Sequence, residues 1–159
     1  MQLLDHGKVI NISSMAASGI FPYISPYCAS KRAMDILMNS FALENKNKIK
    51  VISIKPAAIK TPIWEKSIKN CVEAFNELNE HDRNKYQKEF EYMKKHAIDS
   101  GKKGIDTYKA VDKIIEVIYA KNPKSSYNIG TNAVFADLLS KLPCDILNSL
   151  IKLKLNLIK

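Results

Sequence analysis

Two short β-branched runs separated by one long helical stretch constrain this chain more than any other feature. Lys8-Val-Ile-Asn-Ile-Ser13 and Ile49-Lys-Val-Ile-Ser-Ile54 are short for helices and rich in residues that favour strands. Val9, Ile10 and Ile12 do not alternate cleanly with polar residues, which predicts a first strand buried on both faces. After a loop containing Gly19 and Pro22, Ser25 is the candidate N-cap of a helix and Pro26 its first helical residue. The helix is predicted to run to about Asn45, with Ala29, Ala33, Ile36, Leu37, Ser40, Phe41 and Leu43 as its apolar or small-residue face. Pro56 ends the second run. Strand, long helix, strand is a βαβ unit, and such units imply parallel strands with a right-handed crossover.

From Thr61 to Gly104 the pattern changes to charged, amphipathic segments such as Asp82 to His96. These predict two short helices, no further strand, and a closing loop Ser100-Gly-Lys-Lys-Gly104. Asp106 or Thr107 then caps a helix through Ala120, with Ala110, Val111, Ile114, Ile115 and Ile118 on its apolar face. Ser126-Tyr-Asn-Ile129 reads as a last short strand ending at Gly130, and Ala133 to Lys159 as a helical tail broken near Pro143. The expectation is a single α/β unit with a doubly wound parallel sheet over residues 1–159. It comprises a βαβ core at 1–62, a helical region at 63–105, and a last helix, strand and helical tail at 106–159.

Composition narrows the partners. A net charge of +9 raises the question of nucleic acid, but of 25 basic residues only Arg32 and Arg83 are arginines, whose guanidinium fork suits specific readers of bases and phosphates. Solvated surface charge is the reading, and no nucleic-acid partner is expected. Cys28, Cys71 and Cys144 are an odd count without metal-like pairing, which fits free thiols in the cytoplasm. No apolar run approaches the ~20 residues that span a bilayer. No secretory signal is recognisable either. Leu138 to Ile158 is apolar and dotted with lysine, so it could lie on a membrane surface. Packing against a pocket or a subunit partner is preferred. His6, His81 and His96 lack ligand spacing with one another, and no metal site is expected.

In a doubly wound sheet, ligands sit beyond the carboxyl ends of the strands. Ser14 lies just past the first strand, Pro56 to Thr61 just past the second, and the helix carrying Tyr27 and Lys31 begins at that same edge. Tyr27 and Lys31 are spaced i, i+4 and share a helix face. A free phenol, with a pKa of about 10, is a poor acid or base at neutral pH, and a fixed ammonium one turn away favours the phenolate. Such a tyrosine can exchange a proton with a carbonyl or alcohol. Ser14 can donate a hydrogen bond to an oxygen on which charge develops. The pair alone is weak, since seven tyrosines and 23 lysines in 159 residues give about one such spacing by chance.

The surrounding words carry more weight. Gly7-Lys-Val-Ile-Asn-Ile-Ser-Ser14, Tyr27-Cys-Ala-Ser-Lys31-Arg-Ala33, Ile49-Lys-Val and Lys55-Pro-Ala-Ala-Ile-Lys-Thr61 follow in order. Together they resemble the C-terminal, catalytic half of the short-chain dehydrogenase/reductase family, including a serine thirteen residues before the tyrosine. The match is strongest over about residues 7 to 64, and Thr107 to Gly130 is similar to the family's last helix and strand. The resemblance implies a truncated Rossmann-like fold and an oxidoreductase that interconverts a secondary alcohol and a carbonyl with NAD or NADP. It implies Tyr27 as general acid/base, Lys31 as the group that tunes it and binds the nicotinamide ribose, and Ser14 as donor to the substrate oxygen. It maps the family's Pro-Gly-x-x-x-Thr turn onto Pro56 to Thr61. There the backbone at Ile59 and the Thr61 hydroxyl would hold the nicotinamide carboxamide, and Ala57 replaces the usual glycine. A homo-oligomer and a small-molecule alcohol or carbonyl substrate, possibly apolar, are implied as well.

The family's Gly-rich phosphate turn has no counterpart, because Gly7, Gly19, Gly101, Gly104 and Gly130 form no cluster. The helix that precedes Lys8 in the family survives only as Met1-Gln-Leu-Leu-Asp5. The expectation is therefore a fragment. The alternative is a non-catalytic remnant that acts through protein association. Trp64 and Phe75 flank the region that lines the substrate pocket in this family, where packing and substrate contact are equally open. Asn11 is expected to make a structural hydrogen bond, and Cys28 is not expected to be a nucleophile.

Overall fold

The computed structural model describes residues 7–45 and 48–156. Met1 to Asp5, read above as the remnant of a preceding helix, lie outside the described residues, as do the last three residues of the tail. The elements in order are β1 (Gly7–Ile12), a 3-10 turn (Met15–Ala17), α1 (Ser25–Glu44), β2 (Ile49–Pro56), α2 (Ile63–Asn76), α3 (Glu80–Lys103), α4 (Thr107–Tyr119), β3 (Ser126–Ile129), α5 (Thr131–Leu139) and α6 (Cys144–Asn156). They divide into two compact units, Met1–Ala57 with Tyr108–Leu142, and Ala58–Thr107 with Pro143–Lys159. That division cuts across the three segments drawn from the sequence.

The first unit is built on a three-stranded parallel sheet in the order β1-β2-β3. β1 pairs β2 with Gly7 opposite Ile49 and Ile12 opposite Ile54, and β2 pairs β3 with Ser53 opposite Ser126. β2 is the central strand, and its Ile52 and Ile54 are fully buried together with Val117 of α4. This is the two-sided burial that a near-continuous apolar run implies. β1 does not follow that expectation. It lies at an edge of the sheet and is only half-buried, with Ile12 49% exposed.

Side chains alternate across a strand, so residue parity reveals which helix covers which face. Lys8 reaches the C-terminal carbonyls of α4, its Nζ donating to Ile118 O at 2.8 Å and Ala120 O at 2.6 Å. A lysine there also complements the negative end of the helix dipole. Asn11, of opposite parity, reaches Asp35 of α1. The sheet is therefore covered by α4 on one face and α1 on the other.

Both helices turn to the sheet differently from what their periodicity predicts. On α4 the stripe facing inward is Ala110, Ile114 and Val117, whereas Val111, Ile115 and Ile118 are exposed by 42–46%. On α1 the reversal is larger. Ala29, Ala33, Ile36, Leu37, Ser40 and Leu43 are all exposed, and of the predicted apolar face only Phe41 is half-buried. The stripe against the sheet is Lys31, Asp35, Met38 and Ala42, spaced by four, three and four residues. The polar members find partners on the strands. The first helical residue of α1 is Ser25, one position before the predicted start, with Pro26 in the first turn and Ile24 at the cap.

In the second unit there are two helices before Gly104, but the second is not short. α3 is 24 residues long and runs through Ser100–Lys103, which the sequence assigns to a loop. Its ends suit its dipole: the Asn79 side chain accepts from Asp82 N at 2.9 Å, Glu80 and Asp82 lie in the first turn, and Lys102 and Lys103 in the last. Gly101 is tolerated inside it because it lets Trp64 of α2 approach, whose Cβ would lie 3.2 Å from any Cβ at that position. Phe75 stacks on Phe90 with ring centroids 3.9 Å apart, so packing accounts for it. No described helix is long and apolar enough to cross a membrane.

Candidate active site

Ser14 follows the end of β1 and caps the 3-10 turn, its Oγ accepting from Ala16 N at 3.1 Å. A serine hydroxyl has one donor and two acceptor positions. Capping uses an acceptor, so the proton stays available for an external oxygen. The chain then crosses a loop in which Tyr23 has φ of 69°, a left-handed conformation that costs a non-glycine residue about 1–2 kcal/mol. That loop delivers Tyr27 and Lys31 in the first two turns of α1.

Lys31 Nζ donates to Ile12 O at 3.2 Å, which pins the ammonium to the end of β1 two residues before Ser14. The same nitrogen lies 5.9 Å from the centre of the Tyr27 ring. Tyr27 is 47% exposed. Lysine has three donors, and one carbonyl leaves donors for a ligand. Ser14, Tyr27 and Lys31 are thus gathered at the carboxyl edge of the sheet.

Pro56 and Ala57 complete this edge. Pro56 pairs with Ile129, and Ala57 N donates to Ile129 O at 2.9 Å. Ala57 is not among the residues of positive φ, so alanine serves where the family has glycine. Ile59 and Thr61 belong to the second unit, at most four residues further along the chain. A bridge pairs Ile59 with Ile105, in which Lys60 N donates to Ile105 O and Ile105 N to Ala58 O, both within 2.9 Å. This arrangement turns the N–H of Ile59 away from the bridge, while its carbonyl accepts from Trp64 Nε1 at 2.8 Å. Thr107 Oγ1 donates to Lys60 O, and Lys60 pairs with Asp106 at 2.8 Å. Gly104 is obligatory in this clamp, since a Cβ would sit 2.7 Å from Ser100 O and 2.9 Å from Ala58 O.

Asp35 is a further polar residue of α1 that the motif spacing does not single out. It stands one turn after Lys31 on the same face, a lone acid in an otherwise apolar stretch of helix, and that was the available signal. Its Oδ1 accepts from Asn11 Nδ2 at 2.9 Å and Ser53 Oγ at 3.1 Å. Asn11 also donates to Ser53 Oγ, so its structural hydrogen bonds are those to the acid and the neighbouring strand.

Residues 1–72 match the family model described as short chain dehydrogenase. This stretch is of the short-chain dehydrogenase family. An uncharacterized oxidoreductase of Bacillus subtilis, YusZ, is 30% identical over 155 residues, covering 94% of this chain and 54% of the relative. The NADPH-dependent 3-dehydrocapnine reductase of Ornithobacterium rhinotracheale is 31% identical over 122 residues, covering 76% and 41%. A short-chain dehydrogenase structure from Streptomyces avermitilis superposes with a TM-score of 0.57 at 21% identity, over 82% of this chain and 44% of that one. That likeness concerns the fold, and it agrees with the Rossmann-like α/β arrangement expected from the sequence. The chain spans about half the length of the relatives it matches, or less.

Proposed function

We propose that this chain carries the catalytic segment of an oxidoreductase that interconverts a secondary alcohol and a carbonyl with NAD or NADP. The observation that carries the reading is Lys31, held between the Tyr27 ring and the carbonyl of Ile12 beside Ser14. The residues present suit the nicotinamide end of a dinucleotide. In the first unit Lys31 has donors to spare for ribose hydroxyls. In the second unit, taken by itself, the Ile59 N–H is turned out of its bridge and Thr61 carries a hydroxyl. The bound dinucleotide would supply or accept the hydride. In the direction of reduction, Tyr27 donates its phenolic proton to the carbonyl oxygen, and in oxidation it takes the proton back. Lys31 stands beside the Tyr27 ring as a fixed positive charge, and Ser14 donates to the same substrate oxygen as its charge grows.

The relatives named as reductases support a small carbonyl or alcohol as substrate. The exposed apolar face of α1 supports self-association, because contiguous apolar surface marks an interface. Three free cysteines support a reducing, cytoplasmic setting. Tyr27→Phe keeps the ring and removes the proton, so turnover of a carbonyl substrate should fall by roughly 10²–10⁴-fold. Near wild-type turnover in that variant, with its circular dichroism unchanged, would defeat the assignment.

A further inference from the structure

Beneath α1 lies an ion pair that the chemistry above does not use. Asp35 is 4% exposed, and its Oδ2 lies 3.3 Å from Lys55 Nζ, whose side chain is 11% exposed. The contact is ionic without hydrogen-bond geometry, while Oδ1 takes the hydrogen bonds of Asn11 and Ser53. Lys55 Nζ also donates to Ser18 Oγ at 3.3 Å. Ser18 closes the 3-10 turn that Ser14 opens, and its own hydroxyl donates to Asp137 of α5 at 3.4 Å. One buried ammonium therefore touches both the helix of Tyr27 and Lys31 and the turn of Ser14.

A buried ion pair is a poor way to gain stability, because desolvation offsets much of the attraction and an apolar pair of similar size serves as well. Geometry is what it offers. α1 has an apolar face at Ile36 and Leu37 that points to solvent, and hydrophobic burial alone would roll the helix to bring that face onto the sheet. Such a roll would carry Tyr27 and Lys31 away from the strand ends, since they share the face of Asp35. We infer that the Asp35–Lys55 pair is a positioning brace. It selects the rotation of α1 against β1 and β2 and ties the Ser14 turn to the same point, so that the three groups share one geometry. The inference rests on the catalytic reading of Ser14, Tyr27 and Lys31.

The test is NMR of the whole chain labelled with ¹³C at tyrosine Cζ, which reads the geometry without substrate or turnover. The Tyr27 resonance is identified by its loss in Tyr27→Phe, and Lys31→Ala gives the displacement that follows when the ammonium leaves. Asp35→Asn keeps the shape of the side chain and its hydrogen-bond acceptor. It should move the Tyr27 resonance by at least half of the Lys31→Ala displacement while the other six tyrosines stay in place. Lys55→Arg keeps a cation against Asp35 and should leave Tyr27 nearer its original position than Lys55→Met does. Where Asp35→Asn does not fold, Ser53→Ala removes only one hydrogen bond to the acid and should move Tyr27 in the same direction by less. A smaller Tyr27 displacement in folded Asp35→Asn overturns the brace. So does an equal movement of all seven tyrosines, or a Tyr27 resonance indifferent to Lys31→Ala. Full turnover in Tyr27→Phe would instead remove the catalytic reading and leave the geometric result standing.

Discussion

α1 and α4 cover opposite faces of one sheet, and they bury opposite kinds of side chain. α4 buries Ala110 and Val117, as the central strand buries Ile52 and Ile54, the arrangement that the hydrophobic effect produces unaided. α1 sets Lys31 against the Ile12 carbonyl and Asp35 against Asn11, Ser53 and Lys55, and leaves Ile36, Leu37 and Leu43 in solvent. The α4 face holds the sheet together. The α1 face holds particular atoms in place, and it does so where Tyr27 and Lys31 stand. A helix whose polar side faces inward must be specified residue by residue, because general burial works against it.

This difference also decides what could be read from the sequence. The three strands, their parallel pairing and the position of the site at their carboxyl edge follow from β-branched runs and a βαβ order that local chemistry dictates. Ser14, Tyr27 and Lys31 stand out as candidates because their spacing matches a known pattern. The orientation of α1 was not visible. Periodicity identifies an apolar stripe and assigns it to the core, and Ile36 and Leu37 meet that criterion while lying outside. Asp35 is invisible to the same criterion, since its partners Asn11, Ser53 and Lys55 are distant in sequence. The length of α3 was missed for a different reason. Gly101 and the lysines after it resemble a loop, and only the contact with Trp64 explains the glycine.

The contrast can be broken most directly at Asp35. Asp35→Ala leaves Lys55 buried and unpaired and removes the acceptor of Asn11 and Ser53, so it should cost about 3–5 kcal/mol in urea unfolding. The double variant Asp35→Leu with Lys55→Met removes both charges and should recover most of that loss. A double variant as unstable as Asp35→Ala would mean that the pair supports the fold itself, which would erase the distinction from α4.

Val117 tests the other face. It is 1% exposed, and Val117→Ala removes buried methyl groups and leaves a void, for an expected cost of about 2 kcal/mol. The loss should appear in unfolding midpoints while the Tyr27 resonance remains in place. A shift of that resonance comparable with the one in Asp35→Asn would show that the two faces are not separable.

The smallest effect on stability is expected at Leu37, which is 61% exposed on the outer side of α1. Leu37→Lys removes no buried contact and keeps a good helix former, so the unfolding free energy should change by no more than about 0.5 kcal/mol. Its effect on association should be larger. Ile36, Leu37 and Leu43 present apolar surface that water does not favour, and the outer side of β1, the side away from β2, has no partner strand among the described residues. The isolated chain is therefore expected to self-associate at moderate salt, and a lysine in the middle of the apolar face should lower the mass seen by light scattering. Leu37→Lys thus separates the two roles proposed for one helix, an inner face that positions Tyr27 and Lys31 and an outer face that meets another surface. A loss of stability on the scale of Val117→Ala would place Leu37 in the core after all, and α1 would then be packed in the same manner as α4.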